Sequence, residues 1–128
     1  MPISYRIDET RRRIYTRAEG VVTYAELRAH MNAEAGEPAA SYSELFDCSG
    51  ATTDVTPEDV RRLAWERQEV ARRQPPGPVA VVATDDLFFG MLRMYDMLTE
   101  RVRPLRVFRH RQEAEQWLDD ISRPVDAA

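Results

Sequence analysis

The sequence predicts an α/β domain built on one mostly parallel sheet, on three observations. Val79-Ala80-Val81-Val82-Ala83 is a continuous apolar run without alternation, set off by Pro75-Pro76-Gly77-Pro78. Strands buried on both faces look like this, and they belong to parallel sheets covered by helices. Thr84-Asp85-Asp86 follows, with side-chain oxygens suited to the free N–H groups of a helix start, and an apolar helical stretch runs from about Asp86 to Glu100. The rest of the chain alternates strand-like and helix-like segments in the order ββαβαβαβα. Right-handed crossovers then place helices on both faces of a five-stranded sheet, three layers in all, with the first strand as an antiparallel edge.

The elements follow in chain order. Ile3–Ile7 and Ile14–Ala18 alternate apolar and polar residues around Asp8-Glu9-Thr10-Arg11, which predicts a hairpin with one buried face. Arg11-Arg12-Arg13 is expected to form a solvated basic tip, with a ligand patch as the lesser reading. Thr23 and Glu26 make a capping box, and Tyr24, Leu27 and Met31 share one face of the helix that follows. His30 lies beside that stripe with no second His or Cys at metal-ligand spacing, so a surface or boundary histidine is expected. Gly36-Glu37-Pro38 stops the helix.

Ser41–Cys48 predicts the third strand, and Ser49–Val55 a loop of small residues. Thr56 caps the next helix, with Pro57 at its first position, acids in its first turn, and a stripe of Val60, Leu63, Ala64 and Ala71 with Val70 at its edge. Trp65 falls opposite that stripe and is expected to be partly exposed. Leu87, Gly90, Met91, Met94 and Leu98 are the expected core stripe of the helix Asp86–Glu100. Leu105–Phe108 is a fifth strand at or near an edge, and Ala114, Trp117, Leu118 and Ile121 mark the last helix.

Length and composition bound the classes of function. The 128 residues make one domain, placed at 1–121, with 122–128 as a frayed tail. A content of 43% hydrophobic and 31% charged residues is that of a folded domain. A net charge of −4 argues against nucleic acid as a partner. All 18 basic residues are Arg, which excludes Schiff-base chemistry, a phosphate-loop lysine and the lysine of response-regulator receivers. No apolar run approaches the ~20 residues of a membrane span. The opening MPISYRID lacks a basic segment followed by an apolar run, so no secretory leader is expected. With the single Cys48 this makes a reducing, cytoplasmic setting the expectation.

Ligand sites of open α/β sheets form at the C-terminal ends of the strands. The residues expected there are Asp47, Cys48, Ser49 and Asp54 after the third strand, and Asp85 and Asp86 after the fourth. Helix capping accounts for Asp85 and Asp86, and a divalent cation or an acid/base pair is the alternative. Cys48 and Ser49 sit in no nucleophile-elbow pattern, and neither histidine joins them. The five glycines form no phosphate loop, and no cofactor is expected. The helix Asp86–Glu100 is apolar beyond one face. Phe88, Phe89 and Leu92 either tuck under a neighbouring loop or, with Trp65, present a partner surface or a groove for a hydrophobic ligand.

The hairpin, LFDCSG, the loop to DVTPEDVRRLA, the strand VAVVA and the helix FFGMLRMYDML together resemble the SpoIIAA-like, STAS-related proteins, often labelled STAS/SEC14-like domains of unknown function. The resemblance spans nearly the whole chain and implies the SpoIIAA-like fold. In anti-sigma-factor antagonists of that superfamily a phosphorylatable Ser or Thr lies in a motif close to Asp-Ser-Ser-Gly. The matching stretch here is Asp54-Val55-Thr56-Pro57, with proline in place of glycine. Thr56 is therefore the possible phosphosite the resemblance implies, beside its role as a cap. The SEC14 side implies a lipid-like or other hydrophobic ligand. The expected function is a non-enzymatic module that binds a protein partner or self-associates as a homodimer. A small hydrophobic ligand is the alternative, and a metal-assisted enzyme at the strand ends comes third.

Overall fold

The computed structural model describes residues 2–122. Its elements are β1 (Ile3–Asp8), β2 (Arg13–Val22), α1 (Tyr24–Ala35), β3 (Ser43–Thr53), α2 (Pro57–Ala71), β4 (Val79–Val82), α3 (Asp86–Thr99), β5 (Leu105–Phe108) and α4 (Arg111–Ser122). The five strands lie in sequential order. β1 is antiparallel to β2, and the other pairs are parallel. Both edges are where the sequence places them. Ser122 closes α4, and the rest of the expected frayed tail lies outside the described residues.

Helices do cover both faces, but unequally. The crossovers β2–α1–β3, β3–α2–β4 and β4–α3–β5 all step the same way across the sheet. With one handedness, steps in one direction put every crossover helix on the same side. So α1, α2 and α3 share one face, over Ala18, Val22, Cys48, Val79 and Val81, with Phe88 of α3 packed among them. α4 covers the other face alone, packing Ala114 and Leu118 on Leu45, Ala80 and Val82.

Several local expectations are corrected. β3 runs through Ser49 to Thr53, so the expected loop Ser49–Val55 is mostly strand. The reason is its neighbour: β2 extends to Val22 and pairs residue by residue with Gly50 to Thr53, satisfying backbone groups that a loop would leave to water. Arg13 does not belong to a solvated tip. It is buried, and its guanidinium donates to Ser43 Oγ (3.2 Å) and Asp119 Oδ1 (3.1 Å). The stripe of α3 is rotated from the expected one. Phe88 and Thr99 are its buried residues, with Met91, Leu92 and Tyr95 half-buried between them, whereas Leu87 and Leu98 are exposed. Where nearly every position is apolar, periodicity does not choose the phase, and burial of the large Phe88 ring does. In α4, Ala114 and Leu118 are buried as expected and Ile121 is exposed.

Candidate ligand cavity

The expected strand-end pocket does not assemble as one site. Asp47, Cys48 and Ser49 lie within β3. Asp47 is held by Arg111 at 3.4 Å, and its Oδ1 accepts from the Ser49 N–H. Cys48 is buried in the core, where desolvation raises its thiol well above the ordinary range, the opposite of an activated nucleophile. Asp85 caps α3 by accepting from the Phe88 N–H, and Asp86 pairs with Arg109 at 2.8 Å. Asp54 is exposed beyond the end of β3. Thr56 caps α2 in a reciprocal box with Asp59.

The apolar surface residues also separate. Trp65 is 62% exposed, as its helical phase requires. Phe88 is 1% exposed and belongs to the core, so it offers no surface. Phe89 is half-buried beneath the Arg109 guanidinium, 4.0 Å from its ring centroid. Leu92 is half-buried and lines a cavity of about 100 Å³ between the sheet and helices α1–α3.

That cavity is the site the structure assembles. Leu27, Leu63, Phe88, Met91 and Leu92 are among its apolar walls. Its polar lining is built from four elements and one loop: His30 and Glu34 on α1, Glu44 on β3, Arg67 on α2, Tyr95 on α3, and Arg103 ahead of β5. Glu44 is buried beside Val79 in the sheet. Its Oε2 accepts from Thr16 Oγ1 at 2.6 Å and lies 3.1 Å from His30 Nε2. Glu34, one turn along from His30, puts Oε2 3.0 Å from the same nitrogen. Tyr5 and Phe46 meet the imidazole edge-on.

The electrostatics follow from burial and pairing. Desolvation alone lowers the pKa of His30, but hydrogen bonds to Glu34 and Glu44 outweigh it and raise it to about 10. Burial, then the charge of Glu44, raises the Glu34 carboxyl. Burial pushes Glu44 up as well, but its bonds to His30 and Glu34 win and hold it below the usual carboxylate range. Glu44 and His30 therefore form a buried ion pair with Glu34 beside it.

Two cations complete the polar floor. Arg103 is held by a 2.6 Å bond from Nε to the Gly77 carbonyl. Its Nη2 is 3.9 Å from Glu44 Oε1, and no hydrogen-bond acceptor meets that atom among the described residues. Arg67 is buried with its Nε likewise unpartnered. Gly77 makes this corner possible, because a Cβ there would stand 2.3 Å from the carbonyl oxygens of both Ser41 and Tyr42.

Sequence reasoning missed this floor, and it corrects the expectation of a surface or boundary His30. Glu44 carries no signal of its own in the sequence, because its partners Thr16, His30 and Arg103 are all distant in the chain. Arg67 sits on the apolar stripe of α2 between Leu63 and Val70, and that spacing was the available signal. His30 and Glu34 at i and i+4 were a second signal.

No family model matches the chain, and no curated protein does. Among solved structures it is similar to an uncharacterized protein of the DUF3478 family with a SpoIIAA-like fold from Shewanella loihica PV-4. The identity is 16% and the TM-score 0.58, over 91% of this chain and 93% of that one. The likeness extends over most of both chains, and the chain therefore has a SpoIIAA-like fold.

Proposed function

We propose that this SpoIIAA-like domain is a non-enzymatic binding module whose ligand is a small, mainly apolar molecule lodged between the sheet and helices α1–α3. The observation that carries this reading is the cavity itself: apolar walls over a floor of convergent buried polar groups, the usual make-up of a ligand site. The inert Cys48 and the separately engaged acids at the strand ends favour binding over catalysis. A buried free thiol also suits a reducing compartment such as the cytoplasm. A fragment screen by ligand-observed NMR tests the reading. Hits should shift the methyl signals of Leu27, Met91 and Leu92, and Leu63→Trp should fill the cavity and remove them. Hits that bind the Leu63→Trp variant unchanged would show that the cavity is not the site.

A second reading, self-association or a protein partner, is favoured by apolar side chains left on the outer surface of α2 and α3. Trp65, Leu87, Met97 and Leu98 are exposed there, Met97 at 72%. Gln68 Nε2 bonds the Leu98 carbonyl, so the C-terminal ends of the two helices are adjacent. Phe89 is the wrong probe for this surface, because Arg109 covers it. Sedimentation of wild type and a Trp65→Glu, Met97→Glu variant decides the matter: a dimer lost in the variant supports the surface, and identical sedimentation removes it. Among the described residues no helix is long and apolar enough to cross a membrane.

A further inference from the structure

The floor of the cavity is more specific than its walls. Arg67 is 4% exposed and Arg103 7%, and each leaves one buried N–H donor without an acceptor among the described residues. Unpaired buried donors are uncommon in native proteins, and on a charged guanidinium they are costly. Arg103 Nη2 has Glu44 Oε1 at 3.9 Å, an ion-pair contact too long for a hydrogen bond, and Thr16 and His30 hold the other oxygen, Oε2. Resting on the reading of this cavity as a ligand site, we propose that its occupant is a short-chain carboxylate, with the carboxylate received by Arg67 and Arg103 and the hydrocarbon tail along Leu27, Met91 and Leu92.

Charge, shape and room all select that class. His30 is held protonated, so three cationic side chains face Glu44 and a Glu34 carboxyl that burial drives toward its neutral form. Cationic side chains therefore outnumber the anion Glu44 on this floor, where Glu34 Oε2 is the one buried side-chain oxygen without a hydrogen bond among the described residues. A guanidinium presents planar, forked donors that match a carboxylate. A phosphate dianion would bring a second charge close to Glu44. His30, Glu34 and Glu44 can offer three ligand atoms within 4.8 Å of one another, a set that suits a cation. A cation would have to displace the His30 proton and then sit beside two guanidiniums. An apolar cavity of about 150 Å³ takes up benzene, so about 100 Å³ encloses roughly four non-hydrogen atoms. A three- or four-carbon acid has about five or six, and the cavity is open on one side, which leaves room for the end of the tail.

The test titrates the whole protein with butyrate, 1-butanol, butylammonium, inorganic phosphate and zinc chloride, following thermal midpoint and methyl NMR signals. Butyrate should raise the midpoint saturably and shift Leu27 and Leu92. Butanol should bind at least about tenfold more weakly, and butylammonium should leave both readouts unmoved. Arg67→Met keeps the bulk and removes the unpaired charge, so it should fold, and it should lose at least about tenfold in butyrate affinity while keeping that for butanol. Butyrate and butanol binding equally would overturn carboxylate recognition and leave the apolar site standing. Phosphate or zinc binding more tightly than butyrate also overturns it. If none of the five perturbs the cavity methyls, the proposal and the reading beneath it fall together. The wild-type comparison decides the ligand class even if the variant does not fold.

Discussion

Glu44 shows how much one residue changes once its surroundings are known. In a strand flanked by Ser43, Leu45 and Phe46 it is an unremarkable polar position, yet it becomes the anion on which His30, Thr16 and Arg103 converge. Removing one partner of a buried pair leaves the other charge uncompensated. Glu44→Gln should therefore destabilise the protein by about 3–5 kcal/mol in urea denaturation. A loss near 1 kcal/mol would mean that water, and not Glu44, solvates His30. Gly77 is constrained by space and not by charge. Gly77→Ala forces a methyl against two carbonyl oxygens, and the expected loss is about 1–3 kcal/mol or more. Retention of full stability would show that the Ser41–Tyr42 backbone yields easily. Glu44 was legible in the sequence as a residue, but its role was not, since Thr16, His30 and Arg103 meet it only through the fold.

At the scale of elements, the caps were the most legible features because they depend only on near neighbours. Thr23–Glu26 and Thr56–Asp59 both form the reciprocal pairs that their spacing suggests, and Asp85 caps α3. Thr56→Ala should cost about 1 kcal/mol, measured by thermal or urea unfolding. The same variant tests the phosphosite expected from the sequence resemblance: were Thr56 the acceptor, incubation with a Ser/Thr kinase would label wild type and not Thr56→Ala. Equal labelling of the two moves any modification elsewhere. Stripe phase was legible only where polar residues marked it. On α2 Val60, Leu63 and Ala64 are buried as expected, with Val70 buried and Ala71 only half-buried, while on α3 a run of Leu, Phe and Met left the phase open. The length of β3 was misread for a different reason: Ser49 to Thr53 is a poor loop only in the presence of β2, a long-range partner.

For the whole molecule, the buried His30–Glu34–Glu44 group should shape the dependence of stability on pH. A histidine raised from 6.5 to about 10 contributes stability that is complete below its unfolded pKa and is lost as pH climbs through about 10. The raised Glu34 acts in the same direction, losing its contribution as pH rises above the ordinary carboxylate value. The lowered Glu44 acts oppositely, its contribution disappearing as pH falls through its depressed pKa. Urea midpoints should thus be highest in mildly acidic solution, decline steadily from neutrality to pH 10, and collapse at strongly acidic pH. His30→Gln should flatten the alkaline decline, and a decline unchanged in that variant would assign the effect to other groups. By itself the sequence determined the α/β class, the element order, both sheet edges, the caps and the exposure of Trp65. These rest on periodicity and on contacts within a few residues. Only the tertiary structure decided the side on which the crossover helices pack, the phase of α3, the reach of β3 and the charged floor of the cavity. Each of those depends on groups distant in the chain, brought together when one sheet is covered on both faces.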